Sequence, residues 1–292
     1  MSFLDEVQHL VRVDEPLAPH TWLGIGGPAR YFAEPGDHEE LSRIIRAAND
    51  SELSTRILGG GSNLLVRESG FDGVVISLAA ATTSGLSIEG TEMTVGAGAK
   101  LSQAVIKAVG AGLSGLAHLV GIPGTVGAAV VGNVSSGGRD IGSVVKSIMV
   151  LEKDGSTRTI TQQEASFSHR KTSLTGLTIL EVVLNLEPGD TQALTKRMQK
   201  LWINRNAGRP KEERRIALPF VDPDGMPAQD LIQNVGLAGV REGDVSLDAG
   251  QPHFLIAHEG ATSDQCLRLI ERVREQVLLQ TGVDLRLNLK IW

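Results

Sequence analysis

Cysteine is almost missing from this 292-residue chain: there is one, Cys266. A lone cysteine excludes an intrachain disulfide and any zinc or iron–sulfur site built from several thiolates. At an apolar-compatible helix position it reads as a small core filler. The seven histidines show neither HxxxH nor HExxH spacing, so no metal centre is expected. Basic runs are lacking as well, and the net charge is −6, which argues against a nucleic-acid surface. No apolar stretch approaches the ~20 residues of a membrane span. The opening residues Met1-Ser2-Phe3-Leu4-Asp5-Glu6 put acids where an export signal needs cations, and a soluble cytoplasmic protein is expected.

Glycine is abundant, at 34 residues. It concentrates in a matched pair of turns. The first is Gly59-Gly60-Gly61-Ser62-Asn63, which follows the apolar run Arg56-Ile57-Leu58 and leads into Leu64. The second is Gly121-Ile122-Pro123-Gly124-Thr125-Val126-Gly127. Glycines let backbone amides converge without side-chain obstruction, and converging amides form an anion-binding nest. Neither turn is followed by GK[ST], and neither fits GxGxxG with an acid about 20 residues on. A phosphate-loop triphosphatase and a Rossmann site are thereby disfavoured. Ser62 and Asn63 can add side-chain donors, and Thr125 with Val126 can open a short helix whose first amides face an anion. Two nests in one chain suit an extended diphosphate such as a dinucleotide.

Hydrophobic residues make up 41 %, and the length suggests about two domains. Helical spacing of Leu41, Ile44, Ile45 and Ala48 predicts a helix over 39–49, and Leu101, Ala104, Val105 and Ala108 predict another. Strands are predicted at 55–58, 74–78, 86–89, 92–95, 144–152, 156–161 and 178–186, with hairpins across Gly90-Thr91 and Lys153-Asp154-Gly155. Pro188-Gly189 breaks the chain, and Asp190 can cap a helix over 191–205. The stretch 206–224 reads as irregular. Helices over 228–235 and from Thr262 or Ser263 to about Gln280 follow. Last, 283–291 alternates apolar odd positions with polar even ones, as a half-buried strand does.

Thr21-Trp22-Leu23-Gly24-Ile25-Gly26-Gly27-Pro28-Ala29, the first turn with Leu64-Leu65-Val66, and the second turn with Ala128, Ala129 and Asn133 occur in an order and spacing that resemble the MurB family. These are the UDP-N-acetylenolpyruvoylglucosamine reductases of peptidoglycan (cell wall) synthesis. The resemblance covers nearly the whole chain. It implies an α+β protein: a vanillyl-alcohol-oxidase/PCMH-type FAD-binding fold in two subdomains, 1–80 and 81–190, and a MurB-type C-terminal substrate domain, 191–292. It implies FAD held by Gly59, Gly60, Gly61, Ser62, Asn63, Leu64, Gly121, Ile122, Pro123, Gly124, Thr125, Gly127 and Asn133. It also implies NADPH as electron donor and a UDP-sugar as substrate, with no nucleic-acid or membrane partner. The oligomeric state is unreadable.

The same resemblance exposes departures. The family's tyrosine–arginine motif falls on Phe167-Ser168-His169-Arg170, which keeps the arginine, a cation suited to enolate charge. The family's Ala-Gly-(Ser or Cys)-x-Phe-Lys-Asn-Pro segment reads Ile216-Ala217-Leu218-Pro219-Phe220-Val221-Asp222-Pro223. Leu218, which has no proton to give, stands at the donor position. The closing Leu-Glu-x-Glu becomes Leu285-Arg286-Leu287-Asn288, with no carboxylate at either polar site. Three functions are therefore open: the first two are a reductase that finds its proton elsewhere (through Arg170, His169, Ser173 or water), and an FAD-binding paralogue without turnover that regulates or scaffolds. A third is a binding module whose glycines serve only positive φ.

Overall fold

The structure is a computed structural model that describes residues 3–78, 84–210, 215–223 and 225–292. The chain forms two compact units, each assembled from separate stretches. The first comprises Met1–Val13, Tyr31–Gly60 and Asp72–Ala207; the second comprises Asp14–Arg30, Gly61–Phe71 and Gly208–Trp292. Helices and strands are mixed in both, an α+β protein. Among the described residues no helix is long and apolar enough to cross a membrane.

In the first unit, helices α1 (Phe3–Val7) and α2 (His38–Asp50) share a core with Val74 and Ile76. Asp37 starts α2 by accepting a hydrogen bond from the Glu40 amide at 2.8 Å, which satisfies one of the donors a helix start leaves open. Leu41, Ile44, Ile45 and Ala48, the positions picked out by spacing, are all buried. Strand Thr55–Leu58 pairs in parallel with Phe71–Ser77, so its C-terminal end delivers the first glycine turn.

A second, antiparallel sheet runs Thr157–Thr161, Val145–Leu151, Thr178–Asn185, Glu92–Gly96, Leu86–Glu89. Both expected hairpins form its margins, with Gly90 at φ 61° and Gly155 at φ 84° supplying the left-handed turn residues. Helices α3 (Leu101–Gly110) and α4 (Val126–Val131) contribute Leu101, Val105 and Val126 to the same core. Helix α5 (Thr191–Ala207) begins where Asp190 accepts from the Ala193 amide at 2.7 Å. The break at Pro188-Gly189-Asp190 precedes this helix, yet the helix belongs to the first unit. Leu194, its one buried residue, packs with Val109 and Ala117.

In the second unit, short strands order as Ile216–Ala217, Leu255–Ala257, Val245–Leu247, Arg241–Glu242. They pack with α6 (Ala228–Asn234) and α7 (Ser263–Thr281) and with Leu23, Ile25 and Leu65. Thr262 is the cap of α7, in a reciprocal capping box with Gln265, and Gly282 at φ 74° ends the helix. Cys266 is fully buried among Leu269 and Ile270, and burial pushes its thiol up to about 12, which makes it an inert core residue. Of the irregular stretch 206–224, positions 211–214 and 224 lie outside the described residues.

The closing segment differs from the expected strand. Only Lys290–Ile291 pairs as strand, in parallel with Leu64–Leu65. Upstream, Val221 donates to the Arg286 carbonyl at 2.9 Å and Asn288 donates to the Pro219 carbonyl at 2.7 Å. Leu285 and Leu289 are buried, but Leu287 is 38 % exposed. The odd positions are thus buried at 285 and 289 but not at 287, which bridges Phe220 with its side chain partly in solvent.

Glu68 fastens α7 to the segment 61–71. Its carboxylate accepts from the Ser263 amide at 2.5 Å and from the Ser263 hydroxyl, an anion at a helix start where the dipole favours it. Burial raises the Glu68 pKa, but the two Ser263 hydrogen bonds outweigh it and the net shift is downward from 4.5. A carboxyl depressed by folding stabilises above its unfolded pKa and loses that stabilisation as pH falls through the folded value. Wild type is therefore expected to melt above Glu68→Gln at neutral pH, with the gap closing as pH drops below about 4.5. Thermal melts of both proteins across that range check this.

Candidate functional site

The first glycine turn starts at the end of strand Thr55–Leu58, and the chain passes from the first unit to the second at the Gly60–Gly61 peptide. Within the first unit the two turns touch backbone to backbone. A Cβ on Gly60 would lie 2.8 Å from Gly124 Cα, and one on Gly59 would lie 2.8 Å from Thr125 Oγ1 and 3.0 Å from Ala128 Cβ. No side chain fits at either place. In the second unit Gly61 has φ 63°, a Cβ there would meet the His20 carbonyl oxygen at 2.1 Å, and its own carbonyl accepts from Trp22 at 3.0 Å.

The amides of Gly60, Gly61 and Ser62 donate to no acceptor among the described residues. Three successive open donors around a left-handed residue make a nest for an anion. The second turn works differently. Val126 donates to Ala99 O and Gly127 to Ala97 O, each at 2.9 Å, and Ala128 donates to Thr125 Oγ1 at 3.4 Å. The first amides of α4, which the sequence offered to an anion, are engaged internally. What the second turn presents is half-buried backbone at Gly121 (φ 75°), Ile122, Pro123 and Gly124 (φ 109°). Gly127 is a packing residue, since a Cβ there would meet Ala97 Cβ at 2.8 Å.

Three of the side chains expected at the cofactor have protein partners. Asn63 Nδ2 donates to the Asn288 carbonyl at 2.9 Å, and Leu64 is buried beside Lys290. Asn133 is wholly enclosed; its Oδ1 accepts from Gly142 at 3.0 Å and its Nδ2 donates to the Ser168 carbonyl at 2.8 Å. That second bond holds the loop that carries Arg170. Arg170 has φ 58°, a left-handed conformation that costs a side-chain-bearing residue about 1 kcal/mol or more. The loop holds it through reciprocal Ser168–Lys171 backbone bonds, and its guanidinium donates to the Ser135 carbonyl at 3.3 Å. The same left-handed region holds Asp14, Glu52, Asn133, Ser166 and Arg215. Of the other acids considered, His169 is exposed and the Ser173 hydroxyl donates to the Glu164 carbonyl at 2.8 Å.

In the second unit the substituted positions come together. Leu218 is 41 % exposed, and its carbonyl accepts from Asn288 Nδ2 at 3.0 Å. Asn288 is thus joined both to Leu218 and to Asn63 of the first turn, whereas Arg286 is exposed. Asp222, which stands for the family's asparagine, accepts from the Ala228 amide at 2.9 Å and starts α6. The Asn63–Asn288 link spans 225 positions, and no local pattern announces it.

Comparison with known proteins agrees with this geometry. Residues 29–161 match the FAD binding domain, and 209–292 match the UDP-N-acetylenolpyruvoylglucosamine reductase C-terminal domain. The chain is 60 % identical over 290 residues to a UDP-N-acetylenolpyruvoylglucosamine reductase of Rhodopirellula baltica, covering 99 % of this chain and 95 % of that protein. The MurB crystal structure from Thermus caldophilus superposes with a TM-score of 0.83 at 33 % identity, covering 97 % of this chain and 99 % of that one. A berberine bridge enzyme variant superposes at TM-score 0.50 and 14 % identity over 65 % of this chain and 44 % of that one, which speaks for the PCMH-type fold alone. FAD is the cofactor that this fold and the open nest fit. The paralogue without turnover gains no support, since the relatives carry the reductase name.

Gly60→Ala places a methyl against Gly124, so the variant is expected to fold but to purify without flavin absorbance, and to lose at least tenfold in FAD affinity through parted turns. Absorbance and FAD titration of the two proteins check this. With both domains matched and a full-length relative at 60 % identity, the chain belongs to the UDP-N-acetylenolpyruvoylglucosamine reductase (MurB) family.

Proposed function

We propose that this protein reduces the enolpyruvyl double bond of UDP-N-acetylglucosamine enolpyruvate, with FAD as hydride carrier and NADPH as electron donor. The observation that carries the proposal is the reductase relative at 60 % identity that spans almost the entire chain. FAD, when bound, supplies the hydride. The chain's own residues do the rest. The open amides of Gly60, Gly61 and Ser62 bind the diphosphate, and a positive nest of this type needs no cationic side chain. Arg170, pinned to Ser135, stabilises the negative charge that develops on the substrate.

The proton has to come from somewhere other than residue 218. Leu218 is exposed, so water reaches the position at which the family places a hydroxyl or thiol, and water is the proton source we assign. Asn288, in the glutamate's place, holds the Leu218 carbonyl and orients this strand without exchanging a proton. A missing general acid lowers rate by about 10²–10⁴ and leaves the remainder of catalysis intact.

Purified protein loaded with FAD is expected to oxidise NADPH only when the UDP-sugar enolpyruvate is added. Leu218→Ser is expected to raise kcat by about tenfold or more and to reduce the solvent deuterium isotope effect. Absence of substrate-dependent oxidation in the flavin-loaded wild type would overturn the proposal, and an unchanged rate in Leu218→Ser would remove water as proton source.

A further inference from the structure

Helix α5 is sparsely packed for its length, with Leu194 its single buried side chain. Its last turn carries Arg205, which the sequence motifs did not single out. The Arg205 guanidinium donates to the Val120 carbonyl, to the His118 carbonyl at 3.3 Å and to the Ser136 hydroxyl. Val120 immediately precedes Gly121, the first residue of the second glycine turn. Ser136 belongs to the hairpin of Ser135–Ser136 and Arg139–Asp140. The Arg205 stem also closes over the turn: a Cβ on Gly121 would lie 3.3 Å from Arg205 Cδ and 3.6 Å from Trp202. One guanidinium thus ties the entry of the turn, the hairpin and a helix end together. Its charge suits the negative end of α5, and a planar fork can serve three acceptors in fixed directions where an ammonium cannot.

The surroundings favour a fixed arginine. His118 is 7 % exposed, and its Nε2 has no hydrogen-bond partner among the described residues. Burial first, then the charges of Arg139, Arg197 and Arg205, push its pKa down to about 4, so it stays neutral and adds no charge repelling Arg205 at working pH. The carbonyls of His118 and Val120 would be poorly held without the guanidinium, because the turn's own bond near them is Ile122 to Leu119 O at 3.1 Å.

We propose that Arg205 is a positioning residue: it clamps the second glycine turn in the shape that receives the diphosphate of the dinucleotide. The ligand class rests on the reading of the turns given above. The clamp acts by geometry, and the neighbouring arginines do not substitute for it.

Titration of apoprotein with FAD, followed by flavin fluorescence, tests this together with amide hydrogen exchange at Ile122. Arg205→Ala is expected to raise the FAD Kd by roughly ten- to a hundredfold, the scale of one charged hydrogen bond lost, and to speed exchange at Ile122. Arg205→Lys should recover only part of the affinity, Ser136→Ala should lose a few-fold, and added guanidinium at low millimolar concentration should tighten FAD binding to Arg205→Ala but not to wild type. Arg197→Ala removes the same charge from the same helix and is expected to stay within about twofold of wild type. Unchanged FAD affinity and unchanged exchange in Arg205→Ala overturn the clamp, as does an equal loss in Arg197→Ala. If Arg205→Ala does not fold, Arg205→Lys and Ser136→Ala decide by the same measurements. If wild type takes up no FAD, the reading of the turns fails, while exchange at Ile122 still decides whether Arg205 holds the turn.

Discussion

Gly60 and Gly124 lie so close that a single methyl group at position 60 would come within 2.8 Å of the opposite Cα. Close-packed backbones with no room for a side chain are an expensive arrangement to maintain, because glycine loses more conformational freedom on folding than any other residue. Several elements hold the two turns at this distance. Strand Thr55–Leu58 brings up one turn, α4 and its Ala97–Gly127 contact fix the other, and Asn133 braces the loop that follows. The turns divide the work. The first leaves amides open for an anion, and the second engages its helix-start amides inside the protein to hold shape.

Much of this was visible in the sequence. Helix faces at Leu41, Ile44 and Ile45, the capping signals at Asp190 and Thr262, and the hairpin glycines 90 and 155 were all legible, because each depends on residues a few positions apart. The glycine turns were legible as a pair because only an unusual backbone calls for so many glycines. What escaped was non-local. The alternation of 283–291 suggested a continuous strand, but a strand needs a partner along its length, and here the partners change from 219–221 to 64–65. Leu287 stays 38 % exposed although it lies opposite Phe220 in an isolated antiparallel bridge. The bonds that Asn133 makes to Gly142 and to the Ser168 carbonyl, nine and 35 positions away, are of the same non-local kind.

The departures from the family motif also look different once placed. Asn288 and Asp222 do not simply fill vacated polar sites. Asn288 holds the Leu218 carbonyl through its side chain and accepts from Asn63 through its backbone carbonyl, and Asp222 accepts from Ala228, the first residue of α6. Each substituted side chain is thus held by a hydrogen bond of its own, the kind of contact whose loss costs about 1 kcal/mol. Position 218 carries a leucine, while the bonds that Asn288 makes to the Leu218 and Pro219 carbonyls hold the segment in place.

The second unit is assembled from three separated stretches: Leu23 and Ile25 from one, Leu65 from another, and the apolar faces of α6 and α7 from the C-terminal part. During synthesis the first two stretches leave the ribosome some 150 residues before the helices they pack on. Until α6 and α7 are made, Leu23, Ile25 and Leu65 lack the apolar faces that complete their core, and that unit closes only late in synthesis. A protein truncated at residue 207 would therefore not be a clean cofactor domain. It would carry in its own sequence the apolar segments that α6 and α7 cover in the full chain.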